Sequence, residues 1–216
     1  MKEFCVIGLG NFGSTVARQL TEKGGKVTAI DIDKIKVQDA QQYVDLAIMG
    51  TATDRNFLEN VHVNNFDCFI VSTGEDSHAS ILITLYLKEL GAKKIIVKAN
   101  THDHSRILKK VGADDTVIPE EEMAVKLAHT IARPNVVDYL PLSDEYSIAE
   151  VLTPEKFVGK SIMKLKLRQK YHIDVIAIKN GDTGGFNFIP QAQYEINKAD
   201  VLVVLGKQDD IEKLRG

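Results

Sequence analysis

The sequence predicts an α/β protein in which a doubly wound parallel sheet is followed by a small α+β domain. The first 118 residues contain six apolar runs of three to five residues, mostly rich in Val or Ile. Such runs are typical of strands buried on both faces. Segments with helical spacing separate these runs, so strand and helix alternate. This alternation favours right-handed crossovers between parallel strands.

The predicted strands are Phe4–Ile7, Val27–Ile30, Val44–Ile48, Cys68–Val71, Ile95–Val97 and Thr116–Ile118. The predicted helices between them are Phe12–Lys23, Asp33–Gln42, Asp54–Asn60, Ser77–Leu90 and His102–Val111. Ser77 is a capping residue type ahead of the fourth helix. Pro119 opens a connecting helix, Glu120–Ala132, because proline suits the first helical position, and Pro134 ends it.

The pattern changes after this connector, which predicts a first domain over residues 1–134 and a second over residues 135–216. Strands are predicted at Ile148–Leu152, Val175–Ile178, Phe186–Ile189 and Val201–Leu205. A Lys-rich amphipathic helix is predicted at Ser161–Tyr171 and a terminal helix at Asp209–Leu214. This second part is therefore a small α+β domain with its own core.

The composition is that of a soluble globular protein, with 44% apolar and 26% charged residues among 216. A net charge of -3 gives no basic surplus, which argues against nucleic acid as a partner. Cys5 and Cys68 lie in apolar runs, and buried reduced thiols fit a reducing cytoplasm. No signal peptide and no apolar run of about 20 residues is present. We expect a cytoplasmic protein.

A glycine motif follows the first predicted strand. Gly8, Gly10 and Gly13 form GxGxxG, and Asp31 lies eighteen residues further on, at the end of the second strand. In a Rossmann-like fold, the first glycine permits a tight turn, the second lets backbone approach a phosphate, and the third allows close helix–strand packing. The helix start attracts an anion, and an acidic residue accepts hydrogen bonds from ribose. A glycine-rich turn without a ligand is the alternative.

Further candidate residues follow the other strands, at the carboxyl edge where open α/β sheets bind ligands. Thr51-Ala52-Thr53 and Thr73-Gly74 come after the third and fourth strands. Together with the glycine motif they suggest an adenosine pocket, although each fits an ordinary loop. Asp33 fits either a helix N-cap or a second ribose contact. Lys98 fits either a phosphate contact or a solvated lysine.

Candidate catalytic groups are few. His102 and His104 are two residues apart, which places them on different faces of a helix start, whereas a metal pair is four apart. We expect that helix start to face solvent. His172 is the one histidine of the second domain. The sequence therefore indicates a binding protein and not an enzyme. A small NAD-dependent oxidoreductase and a free-standing nucleotide sensor are the alternatives.

Several segments resemble RCK domains, the regulators of potassium conductance, and within them the peripheral subunits of bacterial Ktr/Trk potassium-uptake systems. The resemblance covers the whole chain. The segments that carry it are Val6–Gly13, Ala29–Asp33, Thr84–Leu90, Lys109–Asp114 and Leu142–Ser147. The first domain resembles the RCK nucleotide-binding lobe (TrkA-N), and the second resembles the RCK-C (TrkA-C) lobe.

The resemblance implies a regulatory subunit that binds ATP, ADP or NAD(H). Such subunits dimerise through the crossover helix and form octameric rings beneath a membrane channel subunit, where the nucleotide gates potassium flow. The residues that match the family's nucleotide contacts are Gly8, Gly10, Phe12, Gly13, Asp31, Asp33, Ala52, Thr53, Thr73, Gly74 and Lys98.

Two positions bear on which ligands the resemblance implies. Close relatives often have an arginine at position 11, which reaches the terminal phosphates across the dimer, whereas this chain has the neutral Asn11. The loss puts the discrimination of ATP from ADP in doubt, since a charge-assisted contact is worth about 1.5–3 kcal/mol. Glu120 matches a glutamate that helps bind a divalent cation, Mg²⁺ or Ca²⁺, in relatives. Its alternative role is a favourable interaction with the helix dipole.

Six basic side chains lie between residues 156 and 170 with no acidic residue among them. A solvated helix face explains such a run. The functional alternative is an anion site, because some Gram-positive relatives bind cyclic di-AMP in this lobe. The residues at matching positions are Ile162, Leu167, Arg168, Val175, Ile176 and Pro190.

Overall fold

The computed structural model describes residues 1–132, 136–143, 145–181 and 183–214. The chain divides into two compact units, Met1–Glu120 and Glu121–Gly216, which we call the first and the second unit. The predicted helix end at Pro134 lies outside the described residues. The domain boundary after residue 134 also falls there and stays a prediction.

The first unit contains a six-stranded sheet in which neighbouring strands are parallel. Its strands are β1 (Glu3–Ile7), β2 (Lys26–Asp31), β3 (Leu46–Met49), β4 (Cys68–Val71), β5 (Ile95–Lys98) and β6 (Asp115–Val117). They lie in the order β3-β2-β1-β4-β5-β6, so the direction of winding reverses between β1 and β4. This is the strand order of dinucleotide-binding α/β folds, and it confirms the predicted fold class.

Helices connect these strands. They are α1 (Asn11–Glu22), α2 (Lys34–Ala40), α3 (Arg55–Asn60), α4 (Ser77–Glu89), α5 (His102–Val111) and the connecting helix α6 (Pro119–Ile131). The ends of the predicted strands and helices are within two residues of these bounds. One capping assignment was wrong. Asp76, not Ser77, is the N-cap of α4, since its Oδ1 accepts a hydrogen bond from the Ala79 N–H at 2.9 Å.

The sheet of the first unit is buried on both faces. Along β1, Cys5 and Ile7 pack in one apolar cluster, whereas Val6 packs in another on the opposite face. All four residues of β4 are buried, Cys68 among them. Burial raises the pKa of both cysteine thiols, as expected for inert core residues. Two covered faces explain why these strands have continuous apolar sequences.

The second unit contains a five-stranded sheet in the order β10-β9-β11-β8-β7, with antiparallel neighbours. Its strands are β7 (Val136–Pro141), β8 (Tyr146–Leu152), β9 (Ile173–Lys179), β10 (Phe186–Phe188) and β11 (Val201–Lys207). The sequence analysis missed β7, because a segment between Pro134 and Pro141 is typical of a loop. The structure places β7 at the sheet edge, where a terminal proline leaves no ladder hydrogen bond unmade.

Three short helices complete the second unit: α7 (Ile162–Leu165), α8 (Leu167–Tyr171) and α9 (Gln208–Glu212). The prediction of one helix over Ser161–Tyr171 was wrong, because Lys166 adopts a left-handed conformation with φ of 49°. Leu165 and Leu167 are both buried, and a continuous helix would point residues two apart to different faces. Within the described ranges, no helix is both long and apolar enough to cross a bilayer.

Candidate functional site

A cleft opens in the first unit where the winding of the sheet reverses. Its first cavity has a volume of about 480 Å³ and lies at the carboxyl ends of β1, β2, β3 and β4. This volume is in the range of small-molecule sites. The candidate residues that line it are Gly8, Gly10, Asp31, Asp33, Ala52, Thr53, Thr73 and Gly74.

A second cavity of about 500 Å³ adjoins the first at the start of α1. Gly10, Ser72 and Gly74 line both cavities, so the two form one cleft. The second cavity adds the candidates Asn11, Phe12 and Lys98, together with Glu120. The cleft therefore brings together eleven of the twelve residues proposed for the nucleotide, and Gly13 packs beneath it.

The glycine loop is held too tightly for larger residues at two positions. Gly8 has a φ of 92°, and a Cβ there would lie 2.0 Å from the Ser72 carbonyl oxygen. A Cβ on Gly13 would lie 1.9 Å from the Gly8 carbonyl oxygen. A Cβ on Gly10, in contrast, would meet no atom within 4 Å. The loop thus packs closely at its two ends and faces open space in the middle.

The start of α1 is available to a ligand. Gly10 is the N-cap and provides no side-chain hydrogen bond to the first turn. Asn11 and Phe12, the first residues of the helix, line the second cavity. The first N–H groups of a helix have no partner within the helix, and the helix dipole favours negative charge there. This geometry suits a phosphate group.

Asp31 connects the glycine loop to β2. The residue is 8% exposed, and each of its carboxylate oxygens accepts a backbone hydrogen bond. Oδ2 accepts from the Leu9 N–H at 2.6 Å, and Oδ1 accepts from the Asp33 N–H at 2.9 Å. Because a carboxylate oxygen has two lone pairs, acceptor capacity remains for ribose hydroxyls.

The sequence analysis offered two roles for Asp33, a helix N-cap and a ribose contact, and its position is compatible with both. Its Oδ1 accepts the Ile35 N–H at 2.8 Å, which makes Asp33 the N-cap of α2, and the residue also lines the first cavity. The polar cleft residues that sequence reasoning missed include Lys36 and Ser72. Ser72 directly follows the last residue of β4, so the carboxyl-edge rule could have found it, whereas Lys36 had no comparable signal.

Lys98 and Glu120 form an ion pair at the floor of the second cavity. The Lys98 side chain is 14% exposed and that of Glu120 is 67% exposed. The hydrogen bond from Lys98 is the largest cause that lowers the pKa of Glu120. Among the described residues, no three His, Cys, Asp or Glu side chains are grouped as metal ligands.

The predicted second-ligand residues lie in the second unit, on α7, α8 and β9 and after β10. Arg168 is exposed, and its Nε donates a hydrogen bond to Asp174 Oδ1 at 2.6 Å. Leu167 is 4% exposed and belongs to the core, so its side chain supports the surface from below. The half-buried members of the set are Ile162, Val175, Ile176 and Pro190.

One expectation about the histidines was wrong. His104 does not face solvent with His102, because it is 6% exposed and contacts the start of α4. His102 and His172 are exposed. Residues on neighbouring helices thus decided which face of the α5 start is buried.

Comparisons with known proteins identify the two parts of the chain. The TrkA-N domain model matches residues 4–119, and the TrkA-C domain model matches residues 147–216. The Ktr system potassium uptake proteins C and A of Bacillus subtilis (strain 168) are 43% and 40% identical to it over 212 residues. These alignments cover 98% of this chain and 95% of each relative.

The chain belongs to the Ktr potassium uptake family. This confirms the resemblance seen in the sequence. The TrkA-N domain contains the cleft, and the TrkA-C domain contains the basic segment around Arg168. A solved GsuK channel bound to NAD has the same fold, with a TM-score of 0.65 at 17% identity. The match covers 97% of this chain and 38% of that longer chain.

Proposed function

We propose that this chain is a regulatory subunit of a potassium uptake system, and that an adenine nucleotide in its TrkA-N cleft controls a membrane partner. Family membership supports the transport role. The observation that carries the nucleotide role is the cleft itself, where eleven candidate residues line two connected cavities at the reversal of the sheet.

The chemistry of the cleft suggests how a nucleotide lies in it. Asp31 offers acceptors to ribose hydroxyls, and the loop that contains Ala52 and Thr53 borders the same cavity. The uncapped start of α1 and the cation of Lys98 border the second cavity, where phosphates fit. ATP, ADP and NAD(H) all meet this description, and Asn11 adds no charge that would select among them.

Regulation requires that the nucleotide bind two conformations with different affinity, since equal affinity would shift nothing. A dimer offers such conformations. Met123, Leu127 and Ile131 recur every four residues on α6 and are 63%, 57% and 71% exposed. This apolar row suits packing against the same helix of a second copy. We propose a cytoplasmic homodimer that assembles into an octameric ring beneath the membrane subunit.

Two further ligands are part of the proposal. Glu120 lines the phosphate end of the cleft and would meet Mg²⁺ or Ca²⁺ bound to the nucleotide phosphates. Cyclic di-AMP would bind the TrkA-C domain near Arg168, whose guanidinium suits a phosphate. Replacement of Arg168 by Ala should abolish cyclic di-AMP binding and leave ADP binding intact.

The test is titration calorimetry of the nucleotide-stripped protein with ATP, ADP and NADH, with and without magnesium. Lys98→Ala should weaken binding about ten- to hundredfold, the value of a charge-assisted contact. Lys94→Ala is the matched control, because Lys94 precedes the amino end of β5 whereas Lys98 ends it. Flux of potassium through a reconstituted Ktr-type membrane subunit should then depend on the nucleotide with wild type, and Lys98→Ala should need about ten- to hundredfold more nucleotide for the same response.

The alternative function is a small NAD-dependent oxidoreductase. Steady NADH turnover with small carbonyl substrates, without any effect of the chain on potassium flux, would favour it. Absence of binding by every nucleotide would overturn the assignment of the cleft.

A further inference from the structure

A buried polar network joins two of the loops at the carboxyl edge of the parallel sheet. His104, in the first turn of α5, is 6% exposed, and Ser80 of α4 is 1% exposed. His104 Nε2 lies 2.9 Å from Ser80 Oγ, and the Asn100 N–H donates to His104 Nδ1 at 3.2 Å. Ser77 Oγ lies 3.4 Å from the same Nδ1. The imidazole thus links α4 to the chain that follows β5.

The hydrogen-bond partners of His104 indicate which ring nitrogen carries the proton. Nδ1 accepts the Asn100 N–H, so it carries no proton, and the ring proton is on Nε2. The Nε2–H donates to Ser80 Oγ, which in turn donates to the Ser77 carbonyl at 2.9 Å. Every member of the network is neutral and satisfied. A second ring proton would put two N–H donors face to face at Asn100, in a site with little water.

Residues of the network are close in sequence to residues that line the cleft. Thr73, Gly74 and Asp76, in the loop from β4 to α4, line the first cavity, and Ser77 is the next residue along the chain. On the other side, Asn100 is two residues beyond Lys98, which lines the second cavity. His104 therefore fixes the spacing between the loop that meets one end of the ligand and the strand end that carries the cation.

We propose that neutral His104 is a positioning residue for the nucleotide, and that its protonation loosens the β4–α4 loop and weakens nucleotide binding in acid. The proposal rests on the nucleotide role of the cleft. It adds a pH dependence that none of the ligand-lining residues explains.

The surroundings of the ring determine the direction of this effect. The groups that contact the ring, from Ser77, Ser80 and Asn100, are uncharged. Burial alone lowers the pKa of His104 below its ordinary value of 6.5. Affinity is therefore complete at neutral pH and is lost as the pH falls through the lowered pKa. The titratable side chains within three residues of His104 or of these groups along the chain are Glu75 and Asp76 before α4, His78 on α4, Lys98 on β5, and His102, Asp103 and Arg106 on α5.

The experiment compares the Kd of ADP at pH 7.5 and pH 5.0 for wild type, His104→Asn and His78→Asn. Asparagine keeps an acceptor oxygen near the Asn100 N–H but cannot titrate. Acid should weaken the wild type about tenfold more than His104→Asn, the value of a one-unit difference between the free and bound pKa. His78→Asn, an exposed change on the neighbouring helix, should behave as wild type. Titration of the ligand's own phosphate is common to all three proteins.

The outcomes separate this inference from the proposed function. Equal acid sensitivity of wild type and His104→Asn would overturn the role of His104 while nucleotide binding stands. Failure of wild type to bind any adenine nucleotide at pH 7.5 would overturn both. If His104→Asn does not fold, NMR titration of the His104 ring in wild type decides, because the proposal requires a lower pKa with ADP bound. An unchanged pKa would overturn it.

Discussion

The two units bury their sheets in different ways. In the first, helices cover both faces, and every residue of β4 is buried. In the second, burial alternates along β8, where Ser147, Ala149 and Val151 are buried while Tyr146 and Leu152 are exposed. When both faces of a sheet are covered, a ligand can bind only at the edge of that sheet. A sheet covered on one side has a second face that remains open to contacts with other molecules. The two units are therefore suited to different kinds of binding.

The largest effect should come from the core of the second unit. Phe157 is 1% exposed, and its ring meets Tyr171 edge to face at 5.7 Å. Phe157→Ala should lower the free energy of unfolding by about 3–5 kcal/mol, the cost of removing a buried aromatic ring. Urea unfolding measures this loss, with the exposed Leu152→Ala as a control that changes little.

The affinity for ADP tests whether the first unit binds its ligand independently of the stability of the second unit. Because the cleft is lined by residues of the first unit alone, Phe157→Ala should leave the Kd of ADP unchanged under native conditions. A Kd that rises as stability is lost would show that the two units are energetically coupled.

Substitutions in the glycine loop should affect stability less than Phe157→Ala does, and ADP binding more. Gly13→Ala places a Cβ against the Gly8 carbonyl and should cost about 1–3 kcal/mol, as overpacking does, and abolish ADP binding. Gly10→Ala meets open space and should lose less stability than Gly13→Ala, with only the small cost of alanine at an N-cap, yet bind ADP more weakly because its methyl group enters the cleft. Thermal unfolding and calorimetry measure both. Equal stability of the two variants would contradict the packing argument.

The smallest effect is expected at Tyr194, whose hydroxyl donates to Asp200 Oδ2 at 3.0 Å. Tyr194→Phe should cost about 1 kcal/mol, the net value of one hydrogen bond. Burial and then the Asp200 hydrogen bond raise the pKa of Tyr194 above its ordinary value of 10. This stabilisation is complete below pH 10 and is lost as the pH rises through the folded pKa. Wild type should therefore lose more stability than Tyr194→Phe in alkaline urea titrations, and parallel curves would refute this.

The sequence predicted the first unit better than the second, for physical reasons. Strands buried on both faces have apolar runs that stand out. The GxGxxG motif stands out as well, because Gly8 has a positive φ and Gly13 packs too closely on backbone for a larger residue. The break at Lys166 has no glycine or proline signal, since it follows from the burial of both Leu165 and Leu167. The edge strand β7 lies between two prolines, at positions 134 and 141, so only its pairing with β8 reveals it.

Parts of the site depended in the same way on distant partners. The glycines and Asp31 follow from local spacing. The burial of His104 depends on Ser80, which is 24 residues away along the chain, and a single sequence gives no sign of that contact. The ion pair of Lys98 with Glu120 likewise joins the ends of two elements.

The two backbone hydrogen bonds of Asp31 also bear on which dinucleotide the cleft admits. A carboxylate held through both oxygens cannot rotate away from an incoming group. Ribose hydroxyls would meet its remaining lone pairs, whereas a phosphate on the ribose 2′ position would meet a negative charge that is fixed in place. The side chain that holds the glycine loop would therefore also disfavour phosphorylated dinucleotides such as NADP.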